Sequence, residues 1–165
     1  MNRNTIFLQS ILAAAMFALA GAASAGGTHA IAVSASVNST CVVNTANSTL
    51  AFGALDPGAG GVVNAVWGGG TFKCTNGAAY TITSNDGLWE SAAGGASNRM
   101  KLAAATDCTV ATDCIRYTLT KAANGTGLGM STNISFGVTG VTGITDYQDA
   151  AAGGYADTVT LTVAP

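Results

Sequence analysis

The sequence predicts an all-β chain, a sandwich or a barrel, and three observations carry that prediction. Short β-prone runs recur beyond residue 25, among them Tyr80-Thr-Ile82-Thr and Ile115-Arg-Tyr117-Thr-Leu119. Clusters of Gly, Asn and Asp separate these runs, as turns separate strands. There is little sign of an amphipathic helix with proper caps.

The elements follow in order. Residues 1–25 carry Arg3, an apolar run from Ile6 to Ala20 interrupted at Gln9 and Ser10, and a small-residue ending, Ala23-Ser24-Ala25. That is the pattern of a secretory signal peptide cleaved before Gly26. The apolar run is shorter than the roughly 20 residues of a spanning helix, and no later segment is suited to membrane insertion. Strands are expected over 30–37, 48–53, 62–67, 70–75, 79–84, 115–120, 133–138 and 156–163. Asp56-Pro-Gly and Asn85-Asp-Gly87 read as turns. Gly68-Gly-Gly70 reads as a tight connection or bulge, because β-like sequence presses on it from both sides. The stretch from Ala92 to Asn98 reads as a loop, with a helical turn possible between Leu88 and Leu102. Gly137-Val-Thr-Gly140-Val-Thr-Gly143 reads as a glycine-kinked strand or loop. The division is residues 1–25 as the signal, 26–40 as an N-terminal extension and 41–165 as one domain.

Composition narrows the function classes. Charged residues make up 8% and apolar residues 48% of the chain. Loss of Arg3 with the signal leaves five basic against eight acidic side chains. No basic run is present to attract nucleic acid or anionic lipid. Disorder is disfavoured by the apolar content. So little surface charge gives weak protection from self-association, which suits a protein meant to assemble.

Four cysteines in the exported part suit an oxidising compartment and two disulfides. Three pairings are possible, and the short spacing between Cys108 and Cys114 favours a local clip that leaves Cys41 with Cys74. Zinc is disfavoured because no CxxC pair exists and the single histidine, His29, sits in the N-terminal arm. That position also makes His29 a poor base for a Ser-His-Asp arrangement. Glu90 is the single glutamate, and most aspartates sit in turns. Asp107-Cys108 and Asp113-Cys114 lack the ladder of oxygen ligands that calcium requires. None of the glycine clusters forms a phosphate cradle. No catalytic residues, metal or cofactor are expected. Trp67, Trp89 and Tyr80 could stack on sugars in a carbohydrate-binding module, but aromatic packing in the sandwich is the favoured account. Four Asn-x-Ser/Thr sequons, at Asn38, Asn47, Asn124 and Asn133, are what chance gives in such a composition.

The two ends are the most informative segments. Ile31-Ala-Val33-Ser-Ala35-Ser-Val37 alternates cleanly and has no evident partner strand before it. Asp157-Thr-Val159-Thr-Leu161-Thr-Val163 alternates more strongly still, with no strand to follow it. Together they suggest a subunit that lends one strand and borrows another.

The ends and the cysteines together resemble the spore coat protein U-like family, which includes the pilins of archaic chaperone–usher pili. The resemblance covers essentially the whole mature chain. Its most specific part is Gly153-Gly-Tyr155-Ala-Asp157-Thr-Val159-Thr-Leu161-Thr-Val163. Leu50-Ala-Phe52-Gly53-Ala-Leu55-Asp56-Pro57, Phe72-Lys-Cys74, Tyr80-Thr-Ile82-Thr, Arg99-Met100 and Ile115-Arg-Tyr117-Thr-Leu119 follow in the expected order. The ending Ala164-Pro165 and the Cys108–Cys114 clip depart from the family pattern.

The resemblance implies an incomplete immunoglobulin-like β-sandwich that lacks its last strand. A periplasmic chaperone would fill the gap first, and at the outer-membrane usher the leading strand of a neighbouring subunit would replace it. The donor face would be Ile31, Val33, Ala35 and Val37. The acceptor groove would include Phe52, Val159, Leu161 and Val163. The expected protein is a fimbrial pilin, exported through the periplasm to the cell surface, whose fibre supports adhesion and biofilm formation. Its partners would be identical or homologous subunits, the chaperone and the usher. The alternatives are a secreted spore-coat-type structural protein and a monomeric carbohydrate-binding β-sandwich.

Overall fold

The computed structural model describes residues 26–89 and 98–165. The predicted signal peptide lies outside the described residues, as does all of the predicted 92–98 loop except Asn98. The chain divides into two compact units, one ending at Ser36 and one running from Val37 to Pro165. In the first unit, the described residues 26–36 are exposed and carry no strand pairing.

Among the described residues, the second unit is built from nine strands in two antiparallel sheets. The strands are β1 (Cys41–Val43), β2 (Val63–Cys74), β3 (Ala79–Ser84), β4 (Asn98–Leu102), β5 (Cys114–Lys121), β6 (Gly125–Thr126), β7 (Ile134–Thr142), β8 (Tyr155–Ala156) and β9 (Leu161–Ala164). Among the described residues, a turn of α-helix, α1, spans Ile144–Tyr147 and a 3-10 turn spans Ala111–Asp113. The larger sheet has the order β1-β2-β7-β5-β4-β8 and the smaller one β6-β3-β9. No described helix is long and apolar enough to cross a membrane.

Alternation decides which side chains seal the sandwich. On β2, Phe72 and Cys74 are fully buried; on β3, Tyr80 and Ile82 are buried, and on β7, Phe136 is buried. These five form one cluster that joins the two sheets, with Leu161 and Val163 of β9 packed against it. Phe72 stands edge-on to Tyr80 at 4.9 Å and to Phe136 at 5.7 Å. Such edge-to-face pairs add to the burial of the rings themselves. Cys41 and Cys74 are direct partners in the β1–β2 register and form a disulfide. Cys108 and Cys114 form the second, which closes the short loop before β5.

Several expected elements differ. Expected strands 62–67 and 70–75 are one strand, β2, with an irregularity between Trp67 and Gly70. The glycines there are a bulge, which lets the chain bend without ending the strand. Expected strand 48–53 makes no ladder. Leu50 and Phe52 are half-buried between exposed neighbours, so the alternation is real but no strand among the described residues pairs with it. Expected strand 30–37 is likewise unpaired. The helical turn proposed between Leu88 and Leu102 is replaced over its described C-terminal part by β4. Expected strand 133–138 runs on through Gly137 and Gly140 to Thr142. Expected strand 156–163 is split, with β8 and β9 separated by residues 157–160.

The split has a visible cause. Asp157 Oδ1 accepts from its neighbour Thr158 N–H at 2.7 Å and from Leu88 N–H at 2.8 Å. Thr160 N–H donates to Asn85 Oδ1 at 2.7 Å. These side chains satisfy backbone donors that a ladder would otherwise take. The Asn85-Asp-Gly87 turn is therefore stitched to this segment. Gly87, at φ +82°, sits so close that a Cβ would fall 2.1 Å from Asp157 Oδ2.

Candidate functional site: an open groove on the larger sheet

The inner face of the larger sheet is wider than the three-stranded sheet that covers it. Among the described residues, the less covered part is a groove of about 650 Å³. Its floor comes from four strands: Trp67 on β2, Phe136 and Val138 on β7, Tyr117 and Leu119 on β5, and Met100 on β4. One wall is Val43 with the segment from Thr45 to Phe52, and the other runs from Tyr155 to Leu161.

Two glycines shape the floor. Ala65, Gly140 and Leu119 stand side by side across β2, β7 and β5. The first two are so small that they leave a hollow, which the Phe52 ring and the Leu50 side chain enter. A Cβ on Gly140 would lie 2.7 Å from Phe52 Cζ and 3.0 Å from Leu50 Cδ2. Phe52 also meets the Tyr117 ring edge-on at 5.6 Å. At the other end, a Cβ on Gly70 would lie 2.6 Å from the Trp67 ring and 2.5 Å from Phe136. Its absence lets Trp67 stack edge-on against Phe136 at 5.4 Å.

Both walls carry unused backbone. Among the described residues, β1 pairs with β2 alone and β9 with β3 alone, so each leaves one edge unpaired. Beyond Asn44, whose N–H donates to Thr71 O at 2.9 Å, residues 46–54 make no backbone–backbone hydrogen bond among the described residues. Unpaired strand edges beside a groove with an apolar floor are a template for another strand.

The groove is nearly free of charge. Asp157 is its ionisable acid, and that carboxylate is already engaged. Besides the two backbone donors, it accepts from the Tyr117 hydroxyl at 2.6 Å. Burial pushes the Tyr117 phenol far above its ordinary range, and the hydrogen bond and charge of Asp157 push it the same way. The hydroxyl therefore stays protonated and acts as a fixed donor. Elsewhere, Thr109 N–H and Oγ1–H donate to Asp107, and these bonds hold that exposed carboxyl below its usual range. Among the described residues, no group of three or more His, Cys, Asp or Glu could hold a metal ion.

Of the residues expected at an acceptor site, Phe52, Val159 and Leu161 line this groove. Val163 does not line it; it packs on the Phe72 cluster. Ile31 and Val33 are 77% and 89% exposed in the first unit, where Ala35 is exposed too. Val37, 84% exposed, opens the second unit. Trp67, Tyr117, Leu119, Met100 and Val138 were not expected at the site. Each sits at an inward position of an alternating strand, a signal that marks the face and not its lack of a cover. Trp67 and Tyr80 pack on core rings, and Trp89 lies beside the Lys101 ammonium, 4.8 Å from its ring centroid.

The model of the Spore Coat Protein U domain matches residues 27–162. The chain belongs to that family. The match takes in the exposed arm, the groove lining and every strand up to the first half of β9. No individually curated protein matches the chain. Among solved structures, a similar chain occurs in the complex of the chaperone CsuC with the tip adhesion subunit CsuE, from the archaic chaperone–usher Csu pili of Acinetobacter baumannii. It is 18% identical with a TM-score of 0.42, over 77% of this chain and 40% of that one. This chain thus spans less than half the length of that neighbour's chain.

Proposed function

We propose that this Spore Coat Protein U family member is a structural pilin that polymerises by donor-strand complementation. The observation that carries the reading is a pairing of opposites within one chain. An exposed alternating arm, Ile31 to Val37, accompanies a groove with an apolar floor, lined in part by β1 and β9, each of which leaves one edge unpaired among the described residues. In β-augmentation, main-chain hydrogen bonds supply affinity and alternate side chains fill pockets. Ile31, Val33, Ala35 and Val37 of one copy enter the groove of the next, against Phe52, Val159 and Leu161. Val163 anchors the same strand from the core side. Burying each of the three large aliphatics contributes about 1.5–3 kcal/mol. A one-residue slip would present Ser34 and Ser36 instead.

An uncovered groove of this kind would aggregate during export, so a periplasmic chaperone covers it and an outer-membrane usher exchanges it for the arm. The product is a surface fimbrium that supports adhesion and biofilm formation, and nothing in the reading calls for a catalytic step. The test is electron microscopy of sheared surface material. Val33→Asp is expected to abolish fibres, since it would bury a charge in an apolar trough. Normal fibres built from that variant would sink the donor assignment. The family's description favours one second reading, a coat-type structural protein. Genes for a chaperone and an usher beside this one would decide for the pilus.

A further inference from the structure

We infer that the Leu128–Met130 loop is a docking surface for the next copy of this chain, beyond the donor strand itself. The inference rests on the donor-strand reading above. Leu128 is 58% and Met130 46% exposed in the loop between β6 and β7, an apolar pair with no cover among the described residues.

The loop is held rigidly on Cys74 and Thr75. Gly129 N–H donates to Cys74 O at 3.0 Å, and Gly77 N–H donates to Gly127 O at 2.9 Å. A Cβ on Gly127 would fall 2.2 Å from Thr75 O, so the two segments are in direct contact. The same two residues anchor the root of the arm. Thr75 N–H donates to Thr40 O at 2.9 Å, Thr75 Oγ1 donates to Asn38 O at 3.2 Å, and Cys74 is disulfide-bonded to Cys41. Root and loop therefore share one platform.

Chain geometry supplies the rest. Val37, the last residue of the donor face, is bonded directly to the anchored Asn38, and consecutive Cα atoms are about 3.8 Å apart. An arm inserted as far as Val37 leaves no slack. The rim of the neighbour's groove must abut the platform that carries Leu128 and Met130. Residues 38–41, 74–78 and 126–133 contain no charged side chain, nor does the groove wall from Thr45 to Phe52. The contact can form without stranding a buried charge.

Methionine oxidation separates the two claims, because Met100 lines the groove and Met130 sits on the platform. Peroxide converts exposed methionine to the sulfoxide, and peptide mass spectrometry reads each site. Assembled fibres are compared with the unassembled full-length Val33→Asp chain. Both methionines are expected to oxidise severalfold more slowly in fibres. Protection of Met100 with Met130 unchanged overturns the docking surface and leaves the donor-strand reading intact. Loss of protection at both sites overturns both. Protection of Met130 alone keeps the platform as a contact between copies and sinks the donor-strand reading. Leu128→Asp provides a second check: unfolding midpoint unchanged and fibres severalfold shorter. Fibres of normal length would count against the surface.

Discussion

The larger sheet shows two different fates on one inner face. Where β3 and β9 lie over it, Phe72 and Cys74 are 0% exposed, and Ile82 on the covering β3 is 2% exposed. Over the groove, Leu119 of β5 is half-exposed, as are Val159 and Leu161 on the facing wall, while Tyr117 and Val138 on the floor are 5% and 6% exposed. Both halves have the same alternation, the same antiparallel ladders and the same kinds of side chain. They differ in how completely a second layer covers them. An apolar face is therefore not yet a core. In this molecule one half is finished within the chain, and in our proposal the other is finished by a neighbour.

The comparison is broken most severely at its sealed half. Phe72→Ala is expected to cost about 3–5 kcal/mol, as other buried large-to-small changes do, and urea unfolding of the purified subunit would show it. Leu119→Ala, in the open half, should cost clearly less in the free subunit. Equal losses at the two positions would mean that the groove is already closed.

Replacing Cys41 and Cys74 together by Ser should cost about 2–4 kcal/mol, since this bridge closes the longer of the two loops. Recovery of soluble subunit from the periplasm is the readout. Unchanged recovery and an unchanged unfolding midpoint would show that the β1–β2 pairing holds without it.

Gly140→Ala sharpens the view of the open half. The added methyl meets Phe52 and Leu50 and should push them out of their hollow, costing about 1–3 kcal/mol through overpacking. Near-ultraviolet circular dichroism should record the loss of the Phe52–Tyr117 contact. Retention of the wild-type spectrum would mean that the ring moves without consequence.

The smallest effect concerns the polar end of the groove. Tyr117 has its phenol raised above the ordinary value of about 10. The protonated hydroxyl is therefore the form that the fold favours. Its contribution is complete below about pH 10 and is lost as pH climbs above that. Tyr117→Phe should cost about 1–2 kcal/mol at neutral pH by removing a hydrogen bond to a carboxylate. It should also shrink the alkaline decline in stability; an identical decline in the variant would refute the assignment.

Much of this was legible from residue order. The strand over 79–84 matches β3, and Ile115-Arg-Tyr117-Thr-Leu119 lies within β5, because period-two alternation is a local property. The glycine bulge before Gly70 was legible for the same reason, since strand-like sequence presses on both sides of it. The missed elements depend on distant partners. Residues 48–53 alternate as a strand should, yet Phe52 leans on Gly140, which lies 88 positions away. Residues 158–160, Thr-Val-Thr, are strand-like, but Asn85 and Leu88 compete for this segment's backbone and for Asp157. The family resemblance pointed to Phe52, Val159, Leu161 and Val163, of which Val163 packs on the core instead, and the floor made by Trp67, Tyr117 and Met100 could not be found from spacing.

By itself, the sequence determined the all-β class, the inward and outward faces of the strands and an apolar leading arm, because each follows from neighbours a few residues apart. Only the tertiary structure decided which inward face would be sealed and which left open. That outcome depends on how far a three-stranded layer reaches across a six-stranded one, and on small side chains at Ala65 and Gly140 meeting Phe52 from a remote segment.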